Sequence, residues 1–188
     1  PTTGRVCIDG AELSQWDSER LGPHLGYLTQ DVELLPGTVA ENIARFRSEP
    51  SEGVVEAAKR AHAYEMILKL PQGFDTLLGA GGIQLSAGQA QRVGLARALF
   101  GHPRLIILDE PNANLDAEGE QALIETLLLL KQEQVTVVMI THKPSLVATL
   151  DYLMVIRDGK TELLGPCAEV LARLSGKTHQ TAAIRSIA

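Results

Sequence analysis

LSAGQAQRVGLARALFGHPRLIILDEPNANLD, Leu85 to Asp116, is the stretch whose reading decides the fold. Ser86 can cap a helix that runs to about Phe100, and the first turn of such a helix offers free backbone N–H groups and a positive dipole end to an anion. Arg104 to Asp109 is a nearly unbroken apolar run, the mark of a strand buried on both faces of a parallel sheet. It ends in adjacent acids, Asp109 and Glu110. Side chains alternate along a strand, so these neighbours point differently and can take different tasks. An anion-accepting helix start beside a paired-acid strand end points to phosphate chemistry.

Working outward, Val135 to Thr141 is a second near-continuous apolar run. Ala117 to Lys131 lies between the two, with Leu123, Leu127 and Leu130 at helical spacing, and predicts a crossover helix between parallel strands. Upstream, Arg5 to Asp9 before Gly10 predicts a short edge strand, and Leu25 to Thr29 another that ends at Gln30. Residues 51 to about 70 predict one helix, with Ala57, Ala61, Tyr64 and Leu68 on one face and Pro71 and Gly73 as its stop. Downstream, Tyr152 to Arg157 and Thr161 to Leu164 predict a hairpin across Asp158-Gly159. Leu163 to Gly165 is expected to close the sheet before a last helix near Glu169 to Leu174, and residues 175–188 are expected to form a loose tail. The fold class is α/β: a mostly parallel sheet flanked by helices, with a helical subdomain over about 45–100. Gln30, Asp109-Glu110 and His142 then all stand at carboxyl ends of strands, the edge where open parallel sheets bind ligands.

With 188 residues the chain fits one domain. A net charge of -6 argues against a general nucleic-acid binder, although a phosphate site needs only a few local donors. Cys7 and Cys167 lack metal or redox spacing and read as inert thiols of a reducing compartment. No apolar run approaches the ~20 residues that span a bilayer. The chain opens at Pro1 rather than Met, as a piece of something longer is expected to do.

Each candidate residue has a plainer alternative. Asp109 suits Mg2+, held through water because that ion keeps much of its hydration, and Glu110 suits a general base. The pair could instead cap the next helix. Ser86, Gly88 and Gln89 form an anion site or simply a capped helix start, since Ser followed three residues later by Gln is a capping box. Gly88 would let a phosphate approach the backbone closely. His142 in isolation reads as a structural histidine at a strand end. PGTVAENI, Pro36 to Ile43, reads on physical grounds as a turn and a capped helix.

Order and spacing raise the phosphate reading above these alternatives. The chain resembles the nucleotide-binding domain of ABC transporters: LSAGQ matches the signature, LIILDEP the Walker B segment, NANLD the D-loop, ITH the switch histidine and YLTQD the Q-loop. The five stand in family order, and PGTVAENI together with LGYLTQDVELLPGTVAENIARF is most similar to exporters, in particular to ATPase-permeases of type I protein secretion. The resemblance implies a P-loop NTPase-like fold, ATP and Mg2+ as ligands, and hydrolysis coupled to transport. Glu110 would activate water, Asp109 would coordinate Mg2+, and Gln30 would touch Mg2+ or the water and sense the membrane partner. His142 would hold the γ-phosphate and orient Glu110. Ser86, Gly88 and Gln89 would bind the γ-phosphate of ATP held by a second ATPase domain, and Asp116 would bridge the two in a head-to-tail dimer. The implied partners are an ABC transmembrane domain, fused or separate, and an exported protein, with no nucleic acid. The implied place is the cytoplasmic face of a bacterial inner membrane.

The chain departs from the family pattern in three ways. GAGG, Gly79 to Gly82, lacks the acid that exporters often carry there, and Asn112 stands where many members have Ser or Thr. The Walker A loop, GxxxxGK[ST], is absent together with the strand before it. Gly176-Lys177-Thr178 does not replace it, because Leu171 occupies its first glycine position. This chain alone is therefore expected to be inactive and not cleanly monomeric. A soluble non-transport ABC ATPase and a non-catalytic partner subunit are the alternatives. The first should show a coiled-coil insertion or basic surface, and the second should have lost Glu110, His142 or LSAGQ.

Overall fold

The computed structural model describes residues 3–47 and 51–177. Strands β1 (Cys7–Ile8) and β2 (Ala11–Glu12) form a small hairpin, and α1 (Ser18–Leu21) leads into β3 (Leu25–Leu28). Next come β4 (Gly37–Thr38), α2 (Val39–Ile43), α3 (Ser51–Arg60), α4 (Tyr64–Leu68), β5 (Leu77–Leu78) and α5 (Ala87–Leu99), with β4 and β5 paired antiparallel. The chain continues through β6 (Leu105–Asp109), α6 (Ala117–Gln132), β7 (Thr136–Ile140) and α7 (Pro144–Val147). It ends in the hairpin β8 (Tyr152–Arg157) and β9 (Lys160–Pro166), then α8 (Cys167–Lys177).

Among the described residues the central sheet has three parallel strands in the order β3-β6-β7, with Leu28 opposite Leu108 and Leu108 opposite Met139. Leu28, Ile106, Leu108 and Met139 join Val93, Ala96 and Leu99 of α5 and Leu123, Leu127 and Leu130 of α6 in one core. Each of the Leu, Ile, Val and Met side chains among them, when fully buried, contributes about 1.5–3 kcal/mol. Helix α5 lies so close to β3 that a Cβ on Gly26 would come within 2.2 Å of the Ala98 carbonyl oxygen. Only glycine fits there.

The expectation of strands buried on both faces fails. Tyr27, Ile107 and Val138 sit side by side on the other face, where Tyr27 is 54% and Val138 50% exposed. Burial alternates along β6, and β7 is an edge strand whose Thr136 and Val138 face out. An apolar run records side-chain chemistry on both faces, but not which face a helix covers.

The expected helix over 51–70 is two helices. His62 takes φ +51°, and its N–H donates to the Lys59 carbonyl while the Ala63 N–H donates to that of Ala58. This pair of bonds is the Schellman stop, here with histidine at the position that usually holds glycine. The break turns α4, so Leu68, expected on the core face, is 50% exposed while Ala57 and Ala61 are buried. Around α2 the turn-and-cap reading is correct: Thr38 Oγ1 accepts from Glu41 N at 3.0 Å, and Glu41 accepts from Thr38 N at 2.6 Å. The fully buried Asn42 is satisfied through Leu35 and Thr38.

Arg45, at φ +55°, pins this helical layer to the sheet. Its guanidinium donates to the carbonyls of Gly22, Leu25, Arg97 and Ala98 at 2.9–3.2 Å. Burial, reinforced by the neighbouring charges of Arg47 and Arg97, holds its pKa below the ordinary arginine value.

The β8–β9 hairpin does not close the central sheet. It is a separate two-stranded sheet with a small core of Val147, Leu153, Val155, Cys167 and Val170. The Cys167 thiol donates to the Val147 carbonyl at 3.3 Å, and burial raises its pKa, which fits an inert thiol; Cys7 is exposed. Helix α8 runs to Lys177, past the start of the expected loose tail, and residues 178–188 of that tail lie outside the described residues. Among the described residues no helix is long and apolar enough to cross a membrane.

Candidate functional site

Three strand ends converge, as places at the carboxyl ends of parallel strands implied. β3 ends beside Gln30, β6 in Asp109 and Glu110, and β7 beside Thr141 and His142. Gln30 Nε2 donates to Glu110 Oε2 at 3.0 Å, and His142 Nε2 lies 3.1 Å from Glu110 Oε1. The Glu110 side chain is 28% exposed, so its carboxylate is held by two fixed partners while still open to solvent.

Glu110 owes its aim to an uncommon backbone: its φ is +44°. Its N–H donates to the Ile140 carbonyl at 2.9 Å, and its own carbonyl accepts from Ala113 N at 3.0 Å. The strand therefore stops at Asp109, and the next residue swings over the sheet edge toward Gln30 and His142. Asp109 is half-buried, and its side chain has no hydrogen bond or ion pair among the described residues. Since Gln30 spends its amide nitrogen on Glu110, its amide oxygen is left as an acceptor. One free carboxylate and one amide oxygen are hard donors and too few for an all-protein cage, a set that fits Mg2+ bound largely through water and phosphate.

The second group lies at the start of α5. Ser86 Oγ accepts from Gln89 N at 3.3 Å, and Gln89 Oε1 accepts from Ser86 N at 2.9 Å. The capping box is thus present, which the plainer alternative required. It leaves the Ser86 hydroxyl proton and the Gln89 amide nitrogen as donors beside the free N–H groups of the first turn. A cavity of about 340 Å³ opens here, lined among others by Ser86, Gly88, Gln89, Arg92 and Asp116. A Cβ on Gly88 would stand 2.8 Å from the Asn114 carbonyl, so glycine lets the D-loop lie against the helix start. Asp116 caps α6 by accepting from Gly119 N at 2.8 Å, and its side chain, 73% exposed, also faces Arg92 at 3.5 Å.

The sequence-predicted residues therefore form two groups. Gln30, Asp109, Glu110 and His142 share the sheet edge, and Ser86, Gly88, Gln89 and Asp116 share the α5 cavity. Among the described residues no hydrogen bond or ion pair joins side chains of one group to the other. Sequence reasoning missed the supporting residues. The fully buried Thr141 donates to Asn112 Oδ1 at 3.1 Å, tying the acid turn to the residue before His142. Glu120 accepts from Lys143 at 2.7 Å and from Ser145 at 2.5 Å, anchoring the segment after His142 to α6. These two hydrogen bonds hold the Glu120 carboxyl below the usual carboxylate range. A signal for Asn112 existed, since it departs from the usual Ser or Thr. Glu120 gave none.

The chain is similar to known proteins over most of its length. The family described as ABC transporter matches residues 1–113. The type I secretion system ATP-binding protein PrsD of Rhizobium meliloti (strain 1021) is 51% identical over 172 residues, covering 91% of this chain and 30% of that protein. A putative multidrug export ATP-binding/permease protein of Staphylococcus aureus (strain NCTC 8325) is 36% identical over 179 residues, covering 95% of this chain and 31% of the relative. Among solved structures, a bacterial Atm1-family ABC exporter with ATP bound superposes with a TM-score of 0.80 at 30% identity, over 95% of this chain and 33% of that one. The chain thus spans about a third of the length of the relatives it matches. In sequence and in its α/β fold alike, the chain belongs to the ABC transporter family.

Proposed function

We propose that this chain is part of the ATP-hydrolysing domain of a bacterial ABC exporter, with a helical subdomain over about residues 45–100 and a protein as the cargo. The observation that carries the reading is Glu110, held between Gln30 and His142 at the carboxyl edge of a parallel sheet. The similarity to a type I secretion ATP-binding protein supports the protein cargo. In this reading the domain works at the cytoplasmic face of the inner membrane, joined to an ABC transmembrane domain and paired head to tail with a second ATPase domain.

Glu110 takes the proton of the attacking water, whose oxygen bonds to the γ-phosphorus of ATP as the bond to the β–γ bridging oxygen breaks. ADP and phosphate leave. Gln30 and His142 hold the two carboxylate oxygens of Glu110, which fixes the remaining lone-pair directions for the water. His142 at 54% exposure can also reach a γ-phosphate oxygen. When bound, Mg2+ neutralises charge on the β- and γ-phosphates, and Asp109 with the Gln30 amide oxygen would hold it through water. Ser86, Gly88 and Gln89 present N–H and O–H donors to the γ-phosphate of ATP seated on the other domain, and Asp116 marks the seam.

The test is Glu110→Gln in the full-length protein. A general base is worth about 10²–10⁴ in rate, so kcat should fall by at least that lower factor. ATP binding should survive, and ATP-bound dimers should accumulate in size-exclusion runs. Turnover at the wild-type rate would remove Glu110 from the role of base.

A further inference from the structure

Gln91 lies on α5 and is 1% exposed. Its Nε2 donates to the Pro111 carbonyl at 3.2 Å, and its Oε1 is buried with no hydrogen-bond partner among the described residues. A buried polar atom left unpaired costs free energy, and native proteins keep few of them. A methionine of similar volume would avoid that cost. What the glutamine does, and methionine cannot, is hold the carbonyl of the residue that follows Glu110.

That carbonyl belongs to a strained turn. Glu110 at φ +44° occupies a region that non-glycine residues hold only where their surroundings over-determine them. From the β7 side, Ile140 accepts the Glu110 N–H and Thr141 holds Asn112. Gln91 holds the same turn from the opposite side, through a helix whose first turn carries Ser86, Gly88 and Gln89. It is thus the one side-chain hydrogen bond between α5 and the acid turn among the described residues.

We propose that Gln91 is a positioning residue: it locks the Glu110 turn and passes to it the placement of the start of α5. A nucleotide bound by a second copy and seated on Ser86 to Gln89 then bears on the acid that serves this chain's own nucleotide. The inference rests on the reading of Glu110 as base, and it supplies a path between two sites whose side chains do not touch.

The experiment is Gln91→Met in the full-length protein, with Gln91→Leu beside it should methionine fail to pack. Steady-state ATPase kinetics are measured together with hydrogen exchange at the Glu110 and Ala113 amides, with and without adenylyl imidodiphosphate and Mg2+. Misplacing a catalytic group by about 1 Å costs up to about 10² in rate, so kcat should fall about ten- to a hundredfold, with KM within about twofold. The two amides should exchange about tenfold faster, and the protection that the analogue confers on them in the wild type should disappear. An unchanged kcat overturns the proposal, as does a fall in kcat with both amides at wild-type exchange rates. If the wild type itself hydrolyses no ATP, the ATPase reading fails, and the exchange comparison still decides whether Gln91 locks the turn.

Discussion

At the scale of single residues, the site is a matter of how few partners a carboxylate is given. Glu110 receives Gln30 and His142, whereas Asp109, its neighbour, receives none among the described residues and stays open to a cation. Glu120 receives two donors, Lys143 and Ser145, which lower its pKa. A carboxyl whose folded pKa lies below its unfolded value contributes stability that is present above the unfolded pKa and lost as pH falls through the folded one. Wild type should therefore melt above Glu120→Gln at neutral pH, and the gap should close as pH falls through and below the normal carboxylate range. Thermal melts of both proteins across that range check it; a gap that widened with acid would contradict the ion pair. Legibility differs among these residues for a physical reason. Gln30, Asp109, Glu110 and His142 each end or follow an apolar run, so pattern exposes them. Gln91 and Glu120 sit inside helices, where a polar residue is ordinary and only packing reveals its partner.

At the scale of elements, backbone geometry overrules periodicity at His62 and sets an anchor at Arg45. The helix predicted over 51–70 stops at Arg60 because His62 accepts a left-handed conformation that sequence rules assign to glycine. Arg45 likewise adopts φ +55°, and from there spends its guanidinium on four backbone carbonyls drawn from α5, β3 and the turn before β3. Neither position carries a signature in the sequence. Replacing Arg45 with Met should remove the side-chain donor from those carbonyls, of which Gly22's keeps the Leu25 N–H, and lower unfolding stability by about 2–4 kcal/mol. Urea denaturation measures it, and a loss below about 0.5 kcal/mol, the range of an ordinary surface change, would show that the helical layer is held by packing alone. Among the elements that pattern did predict, α5, β6, α6 and β7 have long apolar stretches or a capping box, where local and tertiary preferences agree.

At the scale of the whole molecule, the candidate residues fall into two separate groups. The acid group at the sheet edge and the donor group at the start of α5 are bridged by Gln91, and no side-chain bond closes them on one another. In the function proposed above, one ATP site takes the acid group of one copy and the donor group of another, related by a two-fold axis. The most direct test combines two changes expected to inactivate dimers of the full-length protein: Glu110→Gln, which removes the proposed base, and Gly88→Asp, which sets a charged side chain at the start of α5 against the Asn114 carbonyl. With one change on each copy, the dimer keeps one site in which both groups are intact. With both changes on one copy beside a wild-type partner, each site has lost a group. ATPase activity should persist in the first arrangement, at up to about half the wild-type rate for independent sites, and fall at least about a hundredfold in the second. Equal activity in the two arrangements would contradict a site shared between copies.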